Sequence, residues 1–242
     1  MFSQRLYLEV NREERFYCFL LGHALLASPT VRNGILHHLS DKLRLDLPPD
    51  RPLQVFVEVA ALRDYWCDLG NAVRYSQDTH VKRRGVLAVV LREMGFSEDV
   101  IDAHDLFWTS ESHKKLWCPG RWSADAIAAA RLDPLVQVKW AFNGKPDMML
   151  VSDSQVIMIE AKVESPEGRD ANGYAQFETQ KLIARLMKRL IPAFGGANFT
   201  HVTLAADARA VLSWKTVCSI VEDAQLDFFT TECFRQMARF HR

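Results

Sequence analysis

Three charged residues stand in an otherwise apolar part of the chain. Asp147 follows a proline, and Glu160 and Lys162 come thirteen and fifteen residues later, within the segment VIMIEAKV. A strand that is apolar on both faces is typically buried, and a charge within it costs free energy unless it is paired or binds a metal. These residue types predict a reactive site, with a surface hairpin of solvated ion pairs as the alternative.

The turn between the two apolar segments predicts how the three side chains align. With Asp153 and Ser154 as the two turn residues of a hairpin, Asp147 lies opposite Glu160. Opposed residues of antiparallel strands have Cβ atoms ~5 Å apart. Glu160 and Lys162 point to the same face, because side chains alternate along a strand. We therefore expect the three side chains to converge.

The converging groups are suited to metal-assisted chemistry on a phosphate. Two close carboxylates repel each other, and a divalent cation relieves this repulsion. Oxygen ligands with room for water suit Mg²⁺ or Mn²⁺, which lowers the pKa of the water it binds and stabilises negative charge on a phosphate. We expect Lys162 to position or deprotonate the attacking water, with a pKa lowered by the adjacent cation.

The surrounding pattern predicts an α/β (α+β) fold with a mixed sheet of about four strands flanked by helices. The alternation in LVQVKWAF predicts a strand, and Asn143-Gly144 predicts a hairpin turn after it. The predicted order is helices at 11–27 and 32–43, a mostly helical segment at 53–130, strands at 135–142, 147–151 and 156–163, a helix at 174–190, a strand at 199–205 and helices within 213–241. We interpret the chain as one domain, with its core in 1–28 and 134–210, a helical insertion at 30–132 and C-terminal helices at 211–242.

The pattern Pro146-Asp147 … Glu160-Ala161-Lys162 resembles that of the PD-(D/E)xK nuclease superfamily. The predicted order of elements is similar to its α-β-β-β-α-β, restriction-endonuclease-like core. The resemblance implies a Mg²⁺-dependent nuclease that hydrolyses phosphodiester bonds, of DNA rather than RNA, in prokaryotic defence, repair or a mobile element. It implies that Asp147 and Glu160 bind the metal, that the backbone carbonyl of Ala161 adds a ligand and that Lys162 serves the water. Endonuclease and exonuclease activity both stay open.

The resemblance implies two further site residues. Many members carry a glutamine on the helix after the third strand, where this chain has Gln176, with Gln180 one turn later. The alternative is a solvated glutamine. Many also supply a carboxylate from the first helix, for which Glu14 is the best match. The alternative for Glu14 is simple stabilisation of a helix N-terminus. Glu13 has a similar claim to this role, and Glu58 and Glu111 are weaker candidates.

Clusters of basic residues indicate where a nucleic acid would bind. Lys181, Arg185 and Lys188 share a face of the helix predicted at 174–190, next to Arg189. A second group interleaves with tryptophans: Lys114, Lys115 and Arg121 with Trp108, Trp117 and Trp122. A third group comprises Arg74, Lys82, Arg83 and Arg84. Such residues contact phosphates and stack on bases. The alternatives are solvated helix faces and tryptophans in the core.

Composition sets limits on these expectations. The chain has 242 residues, 48% of them hydrophobic and 25% charged, which is typical of a folded soluble protein. It lacks an apolar run of about 18 residues, and its five cysteines form no CxxC pair, which favours free thiols in the cytosol. Thirty basic residues balance thirty acidic ones. Neutrality predicts a local basic groove and weak binding of nucleic acid without metal.

Two other functions stay open at this point. A non-catalytic nucleic-acid-binding or assembly subunit could use the same basic helix, and a different metal hydrolase could carry the motif by chance. Neither a glycine-rich phosphate loop nor a serine–histidine arrangement supports the second. A homodimer or a partner protein also stays open.

Overall fold

The computed structural model describes residues 14–70, 76–104, 117–163, 176–207, 210–224 and 226–240. It shows a mixed α/β protein with a five-stranded mixed sheet, whose order is the chain order. The strands are β1 (Gln54–Val57), β2 (Met148–Ser152), β3 (Gln155–Lys162), β4 (Asn198–Ala205) and β5 (Leu212–Ser213). The pairs β1–β2 and β2–β3 are antiparallel, whereas β3–β4 and β4–β5 are parallel.

Ten α-helices lie in the described part of the chain. They are α1 (Glu14–Ala27), α2 (Pro29–Leu43), α3 (Ala61–Asp68), α4 (Gln77–Glu93), α5 (Glu98–Ala103), α6 (Ala124–Ala129), α7 (Pro134–Asn143), α8 (Gln176–Leu190), α9 (Trp214–Glu222) and α10 (Phe228–Phe240). Short 3₁₀ helices cover Pro119–Arg121 and Pro192–Phe194. No helix among these residues is long and apolar enough to cross a membrane.

The chain divides into two compact units. The first takes residues 1–59, 146–168 and 197–242, and its described part holds the whole sheet with α1, α2, α9 and α10. The second takes residues 60–145 and 169–196, and its described part holds α3 to α8.

The core of the first unit lies between one face of the sheet and its helices. The alternate residues Ile157, Ile159 and Ala161 of β3 point into this core with the buried face of α1. Gly22 permits the close approach of α1, because a Cβ there would lie 3.1 Å from Val57 Cγ2. The opposite face of β3 carries Glu160 and Lys162, so the same strand supplies both the core and the charged groups.

Pro29 follows the end of α1 and is the first residue of α2. Ser28 caps α2 by accepting a hydrogen bond from the Val31 N–H at 3.3 Å, and Pro29 occupies the first turn, where a missing N–H costs nothing. The helix predicted from residue 32 therefore starts three residues earlier.

The prediction of a strand over 135–142 is wrong, because this segment forms helix α7. Pro134 occupies its first turn, and Leu135, Val138 and Phe142 are buried at helical spacing. The Gly144 N–H donates to the Trp140 carbonyl at 2.6 Å, so Asn143-Gly144 ends a helix instead of turning a hairpin. The short apolar segment fits both the strand period and the helix period, and contacts within the second unit select the helix.

The first strand of the sheet is instead β1, within the segment predicted to be mostly helical. It has four residues and pairs with β2 from Val57↔Met148 to Gln54↔Val151. Helices α3 to α7 therefore connect β1 to β2.

The second unit has its own core, in which Arg83 takes part. Trp66 packs edge-on against Phe142 with ring centroids 6.0 Å apart, and the Arg83 guanidinium lies 5.3 Å from the centroid of Trp66. Arg83 is buried and donates to the Gly70 carbonyl. The expectation that Arg83 contacts nucleic acid is therefore wrong, since it stabilises this core instead.

Candidate active site

The hairpin of β2 and β3 has the predicted register. Met148 pairs with Ile159 and Ser152 with Gln155, which confirms Asp153 and Ser154 as the turn residues. Asp153 has a φ of 48°, a left-handed conformation that aspartate tolerates in turns. The same register places Asp147, just before β2, opposite Glu160.

Asp147, Glu160 and Lys162 come together as predicted. Asp147 and Glu160 are only 9% and 6% exposed, and their side chains hydrogen-bond each other. Lys162 Nζ donates to Glu160 Oε1 at 2.6 Å, and the Ala161 N–H donates to Asp147 Oδ2 at 2.7 Å. All four residues lie at one end of the hairpin, so the backbone of β3 orients both carboxyl groups.

Burial changes the titration of both carboxyl groups. Burial first, and then the charge of Asp147, raise the pKa of Glu160 from its ordinary 4.5 to about 8, against the effect of Lys162. Burial also raises the pKa of Asp147, although the Ala161 N–H and Lys162 favour its charged form. Two carboxyl groups that hydrogen-bond each other share a proton, which a cation bound between them would displace.

The carboxylates around Lys162 raise its pKa above the ordinary value, and the lowering expected from a bound cation stays a prediction. Burial lowers it, but the hydrogen bond from Lys162 to Glu160 and the charges of Glu160, Glu14 and Asp147 raise it overall. Lys162 is therefore a charged donor in this arrangement. It can hold a water molecule or an anionic oxygen, and its role as a base beside a bound cation stays a prediction.

Glu14, the first residue of α1, lies close to Lys162 as well. Its Oε1 accepts a hydrogen bond from the Val163 N–H at 3.1 Å, and its Oε2 lies 3.9 Å from Lys162 Nζ. Helix α1 thus brings a third carboxylate to the carboxyl end of β3.

Sequence reasoning missed or undervalued two neighbours of this site. Trp214 is fully buried at the start of α9, and its Nε1 donates to the Lys162 carbonyl at 3.2 Å. Glu58 follows β1 directly; its N–H donates to the Asp147 carbonyl at 3.2 Å, and its carboxylate lies 3.5 Å from Arg15 Nε. The sequence holds no signal for Trp214, and it makes Glu58 only a weak candidate because the four residues of β1 carry little periodic signal.

The donor set fits a divalent cation that keeps water ligands. No group of three or more His, Cys, Asp and Glu residues in the described ranges is placed to hold a metal ion, so at most two protein carboxylates would bind one here. Asp147 and Glu160 could contribute one oxygen each, with the backbone carbonyl of Ala161 beside them. Mg²⁺ commonly binds through one or two carboxylates plus water and substrate phosphates, so such a partial set suits it.

The other predicted site residues lie in the second unit. Gln176 is the first residue of α8 and is half-buried. Its role, which follows from the family resemblance, stays a prediction. Lys114 and Lys115 lie outside the described residues, as do Arg74, Trp108 and Glu111. Arg121 is exposed in a 3₁₀ helix. Trp122 is buried, so the expectation that Trp122 stacks on bases is wrong.

The basic face of α8, formed by Lys181, Arg185, Lys188 and Arg189, is exposed. Acidic residues accompany most of it: Lys181 donates to Glu178 at 2.8 Å, and Arg185 and Arg189 lie 3.8 and 3.6 Å from Glu93. Among the described residues, Lys188 forms no ion pair. The face is therefore exposed but partly neutralised.

Comparisons with protein families, with curated proteins and with solved structures found no match to this chain.

Proposed function

We propose that the protein is a Mg²⁺-dependent nuclease of the PD-(D/E)xK type that hydrolyses phosphodiester bonds, with DNA as the preferred substrate. The observation that carries this proposal is the convergence of Asp147, Glu160 and Lys162 at the end of a buried hairpin, with Glu14 beside them. The chain order α1, β1, β2, β3, α8 and β4 also agrees with an α-β-β-β-α-β, restriction-endonuclease-like core.

Each residue has a role that its contacts support. Asp147 and Glu160 would hold Mg²⁺, which supplies charge neutralisation at a phosphate and activates water when bound. Lys162 donates hydrogen bonds from a charged Nζ, which suits it to orient the water or a non-bridging phosphate oxygen. Glu14 lies 3.9 Å from that Nζ, so it can help to orient it.

The surrounding residues keep these groups in place. The Ala161 N–H fixes one oxygen of Asp147, and the Trp214 indole fixes the carbonyl of Lys162. Both donors are buried, and their partners cannot turn away without losing a hydrogen bond. This rigidity supports a catalytic interpretation, because transition-state stabilisation depends on preorganised groups.

The test is a cleavage assay with the full chain and Mg²⁺ on supercoiled plasmid, linear duplex DNA, single-stranded DNA and RNA. We expect cleavage by the wild type and a loss of about 100-fold or more in Lys162→Met and Glu160→Gln. Lys215→Met, which removes an exposed charge in α9, is the matched control and should cleave normally. Melting curves must show that each variant is folded.

Two results would overturn the proposal. One is equal cleavage by the wild type and Lys162→Met, which would indicate a contaminating nuclease. The other is DNA binding by the wild type that survives EDTA and the Glu160→Gln substitution, with no cleavage of any substrate. That result would favour a binding or assembly subunit.

A further inference from the structure

Glu58 joins three elements that position the site. The last β1–β2 pair is Val57↔Met148, and the hydrogen bond from the Glu58 N–H to the Asp147 carbonyl extends this ladder by one residue. Glu58 therefore lies next to Asp147 on one side, as Glu160 does on the other. Its side chain is mostly buried, with 17% exposed.

The carboxylate of Glu58 contacts the first turn of α1. It lies 3.5 Å from Arg15 Nε, and Arg15 directly follows Glu14. Glu14 in turn accepts from the Val163 N–H and approaches Lys162 Nζ. The ion pair thus links the first turn of α1 to the residue that follows β1. Glu14, in the same turn of α1, contacts Val163 and Lys162 at the end of β3.

The backbone at this position would suit glycine better than glutamate. Glu58 has a φ of 57°, in the left-handed region where a Cβ atom is sterically unfavourable. Residues held in such conformations concentrate at functional sites. Neither the turn nor the ladder needs a side chain here, and the contact of the carboxylate with Arg15 is one that glycine could not make.

We propose that Glu58 is a positioning residue: through Arg15 it holds the first turn of α1 so that Glu14 stays aimed at Val163 and Lys162. The effect on catalysis rests on the proposed nuclease function, whereas the effect on the Glu14 contact does not. Glu58 acts through Arg15 and Glu14 rather than on the substrate.

The experiment uses Glu58→Gly, which keeps the left-handed backbone and removes only the side chain. Asp153→Gly is the matched control. Asp153 is also an acid with positive φ that pairs with an arginine, Arg51, but it lies at the opposite end of the β2–β3 hairpin. Three quantities are measured in the full chain: melting temperature, amide hydrogen exchange by NMR in EDTA, and cleavage with Mg²⁺.

We expect Glu58→Gly to melt at the wild-type temperature or about 2 °C higher, because the left-handed strain is relieved. The amide of Val163, which donates to Glu14, should exchange about 10-fold faster, whereas the amide of Ala161, which donates to Asp147, should keep its protection. Cleavage should fall about 10-fold through kcat with KM unchanged. Arg15→Ala should accelerate exchange at Val163 equally, and Asp153→Gly should change neither exchange nor cleavage.

The proposal is overturned if exchange at Val163 is unchanged in Glu58→Gly or in Arg15→Ala. It is also overturned if Glu58→Gly melts several degrees lower and loses protection at Ala161 and Val163 alike, since Glu58 would then support the sheet in general. A wild type without cleavage would refute the nuclease proposal alone, because the exchange measurements would still decide the role of Glu58.

Discussion

Opposing effects act on the ionisation of Glu160. Its side chain is buried and hydrogen-bonded to that of Asp147. It also accepts a hydrogen bond from Lys162. Burial and the Asp147 charge favour its protonated form, whereas Lys162 favours its charged form, and the pKa of about 8 shows that the first two effects dominate. A group balanced in this way responds to both protons and cations near neutral pH.

The pH dependence of stability follows from this raised pKa. Between the ordinary value of 4.5 and about 8, the folded protein keeps a proton on Glu160 that the unfolded chain releases. The contribution of Glu160 to stability is therefore fully present below about pH 4.5 and is lost as pH rises toward about 8. Thermal melts in EDTA should show this decline in the wild type and a smaller decline in Glu160→Gln. Parallel curves for the two proteins would contradict the assignment.

Mg²⁺ should have a pH-dependent effect of the opposite sign. Because the cation competes with the shared proton, it binds more tightly when that proton is released. We expect a given Mg²⁺ concentration to raise the melting temperature more at pH 8 than at pH 5.5, and to raise it little in an Asp147→Asn, Glu160→Gln double variant. A shift that is equal at both pH values would place the ion elsewhere.

At the scale of elements, β3 depends on α9 for its position. Trp214 is buried at the first position of α9, with its ring 5.9 Å from that of Tyr17 and its Nε1 donating to the Lys162 carbonyl. The start of α9 therefore supports the end of β3 that carries Lys162.

Replacing Trp214 by phenylalanine should affect both stability and activity. The change leaves the half-buried Lys162 carbonyl without its indole donor and creates a cavity, at a cost of about 2–4 kcal/mol in the free energy of unfolding. Cleavage should fall as well. Trp66→Phe is the control: Trp66 is equally buried, in the second unit, and its Nε1 has no hydrogen-bond partner among the described residues. It should cost less stability and leave cleavage unchanged. Equal loss of activity in both variants would contradict a local role of Trp214.

The elements also show how much the sequence could predict. The β2–β3 register was predictable because the turn residues and the double-sided apolar strand allow one alignment. The segment LVQVKWAF was misassigned because eight residues fit the strand and helix periods alike, and packing against the second unit's core selects the helix. Strand β1 was missed because four residues carry little periodic signal.

The residues of the candidate site also differ in whether the sequence could predict them. Asp147, Glu160 and Lys162 could be predicted because one hairpin brings them together. Glu58 and Trp214 arrive from strands and helices distant in sequence, and only their long-range contacts reveal them. The raised pKa of Lys162 also depends on a long-range contact, because Glu14 adds its charge to those of Glu160 and Asp147.

At the scale of the whole molecule, the net charge is zero, with thirty residues of each sign. Affinity for a polyanion must then come from a local surface, and the basic face of α8 is exposed and continuous. Glu178 and Glu93 partly neutralise it. We therefore expect weak binding that depends strongly on salt.

Lys188 should contribute more per charge to DNA binding than its neighbours, because no acid pairs with it in the described part of the chain. We expect Lys188→Glu to weaken binding of duplex DNA and to reduce the slope of log K against log salt by about 1. Glu93→Gln should strengthen binding by releasing Arg185 and Arg189. Fluorescence anisotropy with Ca²⁺ measures both, with Lys215→Glu as the charge control. An effect of Lys215→Glu equal to that of Lys188→Glu would contradict a local surface on α8.

We propose that Asp147 and Glu160 share one divalent ion. Crystals grown at pH 8 and soaked in Mn²⁺ test it directly, because manganese can be located by its anomalous scattering. We predict one strong anomalous peak with carboxylate oxygens of Asp147 and Glu160 as ligands at about 2.0–2.2 Å, and the direct hydrogen bond between the two side chains broken. A Mn²⁺-saturated crystal without a peak there, with the two carboxyl groups still hydrogen-bonded to each other, would contradict the account.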